Sequence, residues 1–164
     1  MSSEKSKAIF LDRDGVLIQE RGDYTWLLED LKINLGVPEA LVNFLNQGYL
    51  LIVISNQGGI GKNLYTKQDA DYLHLHLSRS LGMSGIKITE YYYCPHHPTT
   101  SNCICRKPDS QLLEKAIARF NIDPEKSYFI GDTERDRISG EKAGVKTILI
   151  LPNSDLRLIK FLNV

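Results

Sequence analysis

Apolar and polar positions alternate along the chain in a pattern that predicts strands and helices in turn. Short apolar runs at 8–11 and 50–54 are typical of buried strands, and each ends in a polar turn. Further strands are predicted at 86–93, 127–130 and 147–151. Apolar residues at helical spacing predict helices at 38–47, 66–81, 110–120, 138–143 and 155–161. Strands that alternate with helices predict an α/β fold with a mainly parallel sheet.

Two stretches of this pattern bear on the site. Residues 19–32 have weak periodicity, which predicts an irregular excursion close to the first polar turn. Thr66 is the expected N-cap of the helix at 66–81, and His74 and His76 fall off the apolar face of that helix. Neither histidine has a partner at metal-binding spacing, so both are interpreted as solvated surface residues rather than ligands.

Composition and charge narrow the function classes. The 164 residues, 42% of them hydrophobic, suit one domain spanning 1–164. The 20 basic and 20 acidic residues cancel, so no net field attracts nucleic acid or an anionic membrane. The polar start argues against a signal peptide, and the longest apolar run is shorter than the about 18 residues of a membrane span. We therefore expect a cytoplasmic protein without nucleic-acid or membrane partners.

Acidic and polar side chains follow three predicted strands at the points where those strands end. Asp12 and Asp14 follow the first strand, Ser55 the second and Asp132 the fourth, while Lys107 precedes a helix. Parallel strands joined by right-handed crossovers open at one rim, so these residues are expected to converge. Neighbouring carboxylates repel one another, and hard oxygen ligands favour Mg²⁺ between them. The alternative interpretation of the first turn is a polar loop whose aspartates bind backbone amides.

The three cysteines all lie between positions 94 and 105, in a polar, proline-rich stretch. Cys94-x-His96 and Cys103-x-Cys105 supply three thiolates and one imidazole, the ligand set of a closed structural zinc site. His97 fits this paired spacing less well than His96. The alternatives are buried cysteines without a metal, and a zinc ribbon that binds nucleic acid, for which a basic and aromatic surface is lacking.

The polar turns together resemble the four ordered motifs of the haloacid dehalogenase superfamily, whose members are mostly phosphotransferases. The matching motifs are Asp12-x-Asp14-Gly15-Val16, Ser55, Lys107 and Gly131-Asp132-x-x-x-Asp136. With Cys-Pro-His-x-Pro and Cys-x-Cys-Arg-Lys-Pro, nearly the whole chain resembles one branch of the superfamily. That branch contains the histidinol-phosphate phosphatases of histidine biosynthesis and the D-glycero-D-manno-heptose 1,7-bisphosphate phosphatases of carbohydrate metabolism.

The resemblance implies a phosphomonoester hydrolase that forms an aspartyl-phosphate. Asp12 is expected to attack phosphorus, and Asp14 to protonate the leaving alkoxide and then to activate water. An aspartate at position 14 favours hydrolysis over dehalogenation, because the dehalogenases of the superfamily lack it. The resemblance also implies a magnesium ion held by Asp12, Asp132 and the main-chain carbonyl of Asp14.

The remaining roles carried by the resemblance concern phosphate and substrate. Lys107 and Ser55 are expected to hold the phosphoryl oxygens, and Asp136 is expected to orient Lys107 or a metal-bound water. Arg106 is expected to contact the substrate, a small phosphorylated metabolite. The other expected substrate-contacting residues, in two stretches of the chain, are Gln19, Asp23, Asn56, Gln57 and Gly58.

The spacing of the motifs leaves no room for a large cap domain. Residues 15–54 and 56–106 are filled by the predicted helices, strands and zinc loop, so the zinc loop at 94–105 and the excursion at 19–32 are expected to wall the site. The expected architecture is a Rossmann-like three-layer sandwich. Because Arg106 and Lys107 directly follow Cys105, a zinc-fixed loop is also expected to position the phosphate-binding lysine.

The choice of substrate stays open at the level of the sequence, although the heptose bisphosphate 7-phosphatases are the favoured match. Residues 59–66 look more like the heptose enzymes, and Lys62 there is either a contact for a second phosphate or a solvated loop charge. The short spacing from His96 to Cys103 looks more like the histidinol-phosphate enzymes, which are often fused to a dehydratase. Excision from a longer chain, the oligomeric state and a catalytically idle binding protein on the same fold also stay open.

Overall fold

A computed structural model describes residues 4–159 and contains five strands and five helices within that range. The strands are β1 (Lys7–Leu11), β2 (Tyr49–Asn56), β3 (Glu90–Cys94), β4 (Tyr128–Gly131) and β5 (Lys146–Leu149). The helices are α1 (Val37–Asn46), α2 (Gly58–Gly61), α3 (Lys67–Gly82), α4 (Gln111–Arg119) and α5 (Glu134–Lys142). Three short 3-10 turns lie at Leu28–Asp30, Pro124–Lys126 and Leu156–Leu158.

All strand pairs of the sheet are parallel, in the order β3-β2-β1-β4-β5. Leu11, the last residue of the central strand β1, pairs with Val53 of β2 and Ile130 of β4. The chain therefore leaves β1, β2 and β4 at the same edge of the sheet. This confirms the parallel α/β fold and the predicted convergence of the polar turns.

Two hydrophobic clusters cover the two faces of the sheet, because successive strand side chains point to opposite sides. Ile9 and Leu11 of β1 pack with α1 and α3, whereas Ala8 and Phe10 pack with α4. Each apolar helix stripe thus buries itself against one face, which gives the three layers expected from the sequence.

Several predicted boundaries differ from the structure. The strand predicted at 86–93 starts only at Glu90, and α5 starts four residues before the predicted position 138. The early start of α5 comes from a capping box between Thr133 and Asp136 and not from apolar periodicity. The helix predicted at 155–161 is a 3-10 turn over Leu156–Leu158, and its last two positions lie outside the described residues.

Residues 19–32 lack regular structure apart from the turn at Leu28–Asp30, as predicted. Within residues 4–159, no helix is both long and apolar enough to cross a membrane.

Candidate active site and cysteine–histidine cluster

Asp12 leaves β1 at the sheet edge, and its carboxylate is buried. Its Oδ1 lies 2.9 Å from Lys107 Nζ and accepts a 2.8 Å hydrogen bond from the backbone amide of Arg13. Burial raises the pKa of Asp12 well above its usual range, and the carboxylates of Asp136 and Asp132 add to this, although Lys107 opposes it. A charged Asp12 therefore requires positive charge nearby.

Lys107 supplies one such charge at the centre of the site, where it is 3% exposed. Nζ lies 2.6 Å from Asp136 Oδ1 and donates to the carbonyl of Ile54 at 3.0 Å. The Asn56 side chain fixes the Lys107 backbone through bonds of 3.0 and 3.1 Å to its amide and carbonyl. Burial opposes the charge, but Asp12 and Asp136 outweigh it and raise the pKa of Lys107, so the lysine stays protonated.

Asp136 is fully buried and does not line the cavity of the site. Its Oδ2 accepts hydrogen bonds from the Asp132 and Thr133 amides and the Thr133 hydroxyl, and its Oδ1 contacts Lys107. Burial opposes ionisation, yet Lys107 and the Thr133 bonds lower the pKa of Asp136. The carboxylate is therefore held as an anion in contact with Lys107.

Asp132 completes a group of three carboxylates whose ligand atoms all lie within 4.8 Å of one another: Asp12, Asp132 and Asp136. Asp132 Oδ1 is buried and has no hydrogen-bond partner among residues 4–159, and burial raises the pKa of this carboxyl. Gly15 has φ of +86°, and a Cβ there would lie 2.1 Å from Asp132 Oδ2. Only glycine therefore fits at position 15 without a clash with the Asp132 carboxylate. A divalent cation fits this unpaired, oxygen-rich position.

Asp14 lies beside this group and is bound by the side chain of Arg13. Arg13 Nε and Nη2 donate to the two carboxylate oxygens at 2.9 and 3.1 Å. Gln57 Nε2 approaches Asp14 Oδ2 at 3.3 Å and donates to the Ser55 hydroxyl at 2.8 Å, while Gln57 Oε1 accepts from Tyr65 at 2.6 Å. A side chain that continued the alternation of β1 would point away from the site at Arg13, but its guanidinium turns back onto Asp14.

These residues surround a cavity of about 320 Å³, within the range of small-molecule sites. Nine of the residues singled out in the sequence line it: Asp12, Asp14, Asp23, Asn56, Gln57, Gly58, Arg106, Lys107 and Asp132. Gln19 does not line it, because its exposed side chain lies just before the turn that brings Glu20 to the wall. Ser55 is also absent from the lining, since it is 1% exposed and covered by the Gln57 amide.

Glu20 also lines the cavity and lies within the predicted stretch from Gln19 to Asp23. Sequence reasoning did not single out five other lining residues: Arg13, Tyr24, Thr25, Thr133 and Arg135. Tyr24 and Thr25 belong to the irregular excursion, which walls the site as predicted. The zinc loop at 94–105, the other predicted wall, contributes no residue to the lining, whereas Arg106 and Lys107 directly after it do. Arg135 is exposed in the first turn of α5, and no ion pair of its guanidinium occurs within residues 4–159. The sequence signal for Arg135 as a cavity residue is its position three residues after Asp132 of the fourth motif.

His74 is the clearest error of the sequence interpretation, because it is 4% exposed rather than solvated. Its Nε2 lies 3.2 Å from Arg13 Nη1, and its ring stacks on the Tyr91 ring with 4.6 Å between the ring centroids. Burial, and then the charge of Arg13, lower the pKa of His74 to about 3, so the ring is neutral. Neither His74 nor the half-buried His76 belongs to a metal-type cluster of the described residues.

A second cluster lies beside the cavity and contains the four predicted zinc ligands: Cys94, His96, Cys103 and Cys105. Cys94 Sγ lies 3.6 Å from Cys103 Sγ and 3.1 Å from Cys105 Sγ, and His96 Nδ1 lies 3.3 Å from Cys105 Sγ. None of the three cysteines forms a disulfide, and the His97 ring contacts Thr99 rather than the cluster. Arg106 Nη1 donates to the His96 carbonyl at 3.2 Å, which links the cluster to the cavity wall.

The comparison with known proteins agrees with this geometry. Residues 104–156 match the family model described as HAD-hydrolase-like. The chain is 38% identical to the D-glycero-beta-D-manno-heptose-1,7-bisphosphate 7-phosphatase of Haemophilus ducreyi, covering 88% of this chain and 82% of the relative. It is 36% identical to the alpha-anomer 7-phosphatase of Campylobacter jejuni, covering 90% and 83%.

The fold also matches a solved structure, the D,D-heptose 1,7-bisphosphate phosphatase from B. bronchiseptica complexed with magnesium and phosphate. The TM-score is 0.85 at 24% identity, over 92% of this chain and 84% of that one. The protein is a hydrolase of the haloacid dehalogenase-like class. Within that class, the chain belongs to the family of the D-glycero-D-manno-heptose 1,7-bisphosphate 7-phosphatases.

Proposed function

We propose that this protein removes the 7-phosphate of D-glycero-D-manno-heptose 1,7-bisphosphate through an aspartyl-phosphate at Asp12. The observation that carries the proposal is the pairing of Asp12 with Lys107 at the floor of the cavity, with Asp14 and Asp132 beside it. The family relationship supplies the substrate. The single-domain organisation and the cytoplasmic location expected from the sequence belong to the same proposal.

The chemistry of the first step follows from the free atoms of the two aspartates. Asp12 Oδ1 is engaged by Lys107 and the Arg13 amide, so Oδ2 is the attacking atom. As the bond from Oδ2 to phosphorus forms, the bond from phosphorus to the sugar oxygen breaks, and Asp14 gives its proton to that oxygen. Lys107, paired with Asp136, balances the charge of the phosphoryl oxygens, and Ser55 supports them through Gln57.

In the second step Asp14, now a carboxylate, takes a proton from water. That water attacks phosphorus, phosphate leaves, and the Asp12 carboxylate is restored. The wall formed by Glu20, Asp23, Tyr24 and Thr25, together with the bound sugar, limits the access of other water.

Magnesium at the Asp12–Asp132 position is part of the proposal, held also by the main-chain carbonyl of Asp14. The buried Asp132 Oδ1, for which the described residues provide no hydrogen-bond partner, supports this, and the ion would offset repulsion between phosphate and the Asp12 carboxylate. Asp136 does not bind the magnesium ion, because its Oδ2 already accepts hydrogen bonds and its Oδ1 is paired with Lys107.

Brief EDTA treatment is expected to abolish turnover, and excess Mg²⁺ is expected to restore it. Metal analysis after the same treatment should still find zinc, because the four-ligand cluster has no open position and exchanges its ion slowly. Activity that survives removal of all magnesium would contradict the role of the Asp12–Asp132 position.

Arg106 is proposed to bind the second phosphate of the bisphosphate, because it lines the cavity next to Gly58. Arg106→Ala is expected to lower kcat/KM for the bisphosphate by about 10–100-fold, the loss of a charge-assisted hydrogen bond of roughly 1.5–3 kcal/mol. The same substitution should lower kcat/KM for a sugar monophosphate much less. Arg119→Ala is the matched control, since Arg119 is exposed at the end of α4 and pairs with Glu90 outside the cavity.

The substrate proposal is tested by comparing kcat/KM for both anomers of the heptose bisphosphate and for histidinol phosphate. We expect one heptose anomer to exceed histidinol phosphate by at least about 100-fold, roughly 3 kcal/mol of transition-state binding. A kcat/KM for histidinol phosphate equal to or higher than that for both heptose anomers would overturn the substrate assignment. No turnover of any of the three would favour the idle binding protein.

A further inference from the structure

We propose that Arg13 and His74 are positioning residues that hold Asp14 in the orientation from which it delivers and receives its proton. The proposal rests on the proposed function, because it has a meaning only where Asp14 serves as acid and base. It assigns a role to the residue between the two motif aspartates and to a histidine outside the motifs.

The first observation is the bidentate ion pair between Arg13 and Asp14. Arg13 is 1% exposed, and its Nε and Nη2 meet Asp14 Oδ2 and Oδ1 at 2.9 and 3.1 Å. A planar guanidinium that binds both oxygens fixes the plane of the carboxylate, which a lysine with its single ammonium cannot do. The side-chain torsions of Asp14 are therefore set by Arg13.

The contacts also identify the oxygen that carries the proton. Asp14 Oδ2 accepts from Arg13 Nε and is approached by Gln57 Nε2, whereas Oδ1 accepts, within the described part of the chain, only from Arg13 Nη2. Because each carboxylate oxygen has two lone pairs, Oδ1 keeps one free. That lone pair is the site from which a proton reaches the leaving alkoxide.

The second observation is that Arg13 is itself held from two directions. Nη2 donates to the Thr25 carbonyl at 2.8 Å, and Nη1 lies 3.2 Å from His74 Nε2. An arginine has no acceptor, so His74 Nε2 must be the accepting atom and the ring must be neutral. A protonated histidine would repel the guanidinium and release it.

The ring of His74 is fixed by the elements that pack around it. It stacks on Tyr91 at 4.6 Å with an interplanar angle of 9°, and meets Tyr93 edge-on at 5.4 Å. Tyr91 is bonded to Ser78 and Tyr93 to Asp71, both on α3. The orientation of Asp14 is thus tied to α3, β3 and the excursion at 19–32, three elements distant in sequence.

The test separates the two chemical steps by using two leaving groups. A sugar phosphate needs a proton on its alkoxide, whereas p-nitrophenyl phosphate does not, so only its second step depends on Asp14. A misplaced Asp14 should therefore give a burst of one p-nitrophenolate per site at nearly the wild-type rate, followed by slow steady-state turnover. A purely structural defect would lower the burst together with the turnover.

The variants are His74→Phe, His74→Gln and Arg13→Gln, each checked for folding by thermal unfolding. His74→Phe keeps the stacking but removes the acceptor, and should lower kcat for the sugar phosphate about tenfold with KM unchanged. His74→Gln restores a neutral acceptor and should return kcat to within about threefold of wild type. Arg13→Gln should lower kcat for the sugar phosphate about 100-fold, the effect expected when a catalytic group is displaced by about 1 Å.

Two results would overturn the inference: burst and turnover that fall together, or wild-type kcat in both His74→Phe and Arg13→Gln. These results differ from failure of the proposed function. If the wild-type protein hydrolyses no phosphate monoester, the function itself is wrong. If the wild type is active and Asp14→Asn is slow but Arg13→Gln is not, only the positioning role is wrong.

Discussion

Asp12→Asn is expected to lower kcat by at least about 10⁴-fold while the protein stays folded. The amide keeps the shape of the side chain but has no lone pair basic enough to attack phosphorus. Lys107 keeps its contacts with Asp136 and the Ile54 carbonyl, so the surrounding structure does not lose its central ion pair.

The stability of this variant follows from the same electrostatics. Burial and the neighbouring carboxylates raise the pKa of Asp12, which means that its ionised form is disfavoured at this position. Removing the charge relieves that repulsion, and Tm should stay equal to wild type or rise by up to about 4 °C, the shift for roughly 1 kcal/mol. A Tm lower by more than this would mean that activity was lost through unfolding.

The matched control for Asp12→Asn is Glu141→Gln, which removes one carboxylate from an exposed ion pair with Arg137 on α5. Its kcat should equal that of wild type, and its stability should change by less than about 0.5 kcal/mol. Activity of Asp12→Asn within tenfold of this control would exclude Asp12 as the nucleophile.

His96→Ala is expected to abolish zinc binding and to lower kcat/KM by about 100-fold. Wild-type protein purified without chelators should contain one zinc per chain, because three thiolates and one imidazole form a complete tetrahedral set. Without the ion, residues 94–105 lose the interaction that holds Cys103 and Cys105 against β3. Arg106 and Lys107 directly follow, so a shift of about 1 Å at Lys107 accounts for the loss of rate.

The neighbouring histidine provides the control for the zinc site. His97→Ala should retain one zinc per chain, because the His97 ring contacts Thr99 and lies outside the cluster. Elemental analysis of both variants, together with Tm, decides the matter. A full zinc complement in His96→Ala, or the absence of zinc from the wild type, would contradict the assignment.

The sheet and the two clusters could be predicted because their signals are local in the sequence. The apolar run ending at Leu11 places Asp12 at the sheet edge, and the pairs around Cys94 and Cys103 have ligand spacing by themselves. Parallel topology then brings Asp132 beside Asp12, a contact that follows from strand order rather than from side-chain detail.

The parts that could not be predicted depend on tertiary packing. His74 lies off the apolar stripe of α3, and only the approach of Tyr91 and Arg13 from other elements buries it. Gln57 and Ser55 look alike as polar residues after a strand, yet the partners of Gln57 are set by Tyr65 and Asp14. Gln19 lies one residue from the cavity wall, a distinction that an irregular segment does not reveal in sequence.

The central claim is that Asp12 takes the phosphoryl group of the sugar, and acid quench during turnover of the heptose bisphosphate tests it directly. Mass spectrometry of the quenched wild-type protein should find one phosphoryl group on the peptide containing Asp12. During turnover of p-nitrophenyl phosphate, whose leaving group needs no proton, Asp14→Asn should accumulate more of this adduct than the wild type, because only water activation is slowed. The adduct should be absent from Asp12→Asn. A phosphoryl group on another residue, or turnover with no adduct in either active form, would contradict the account.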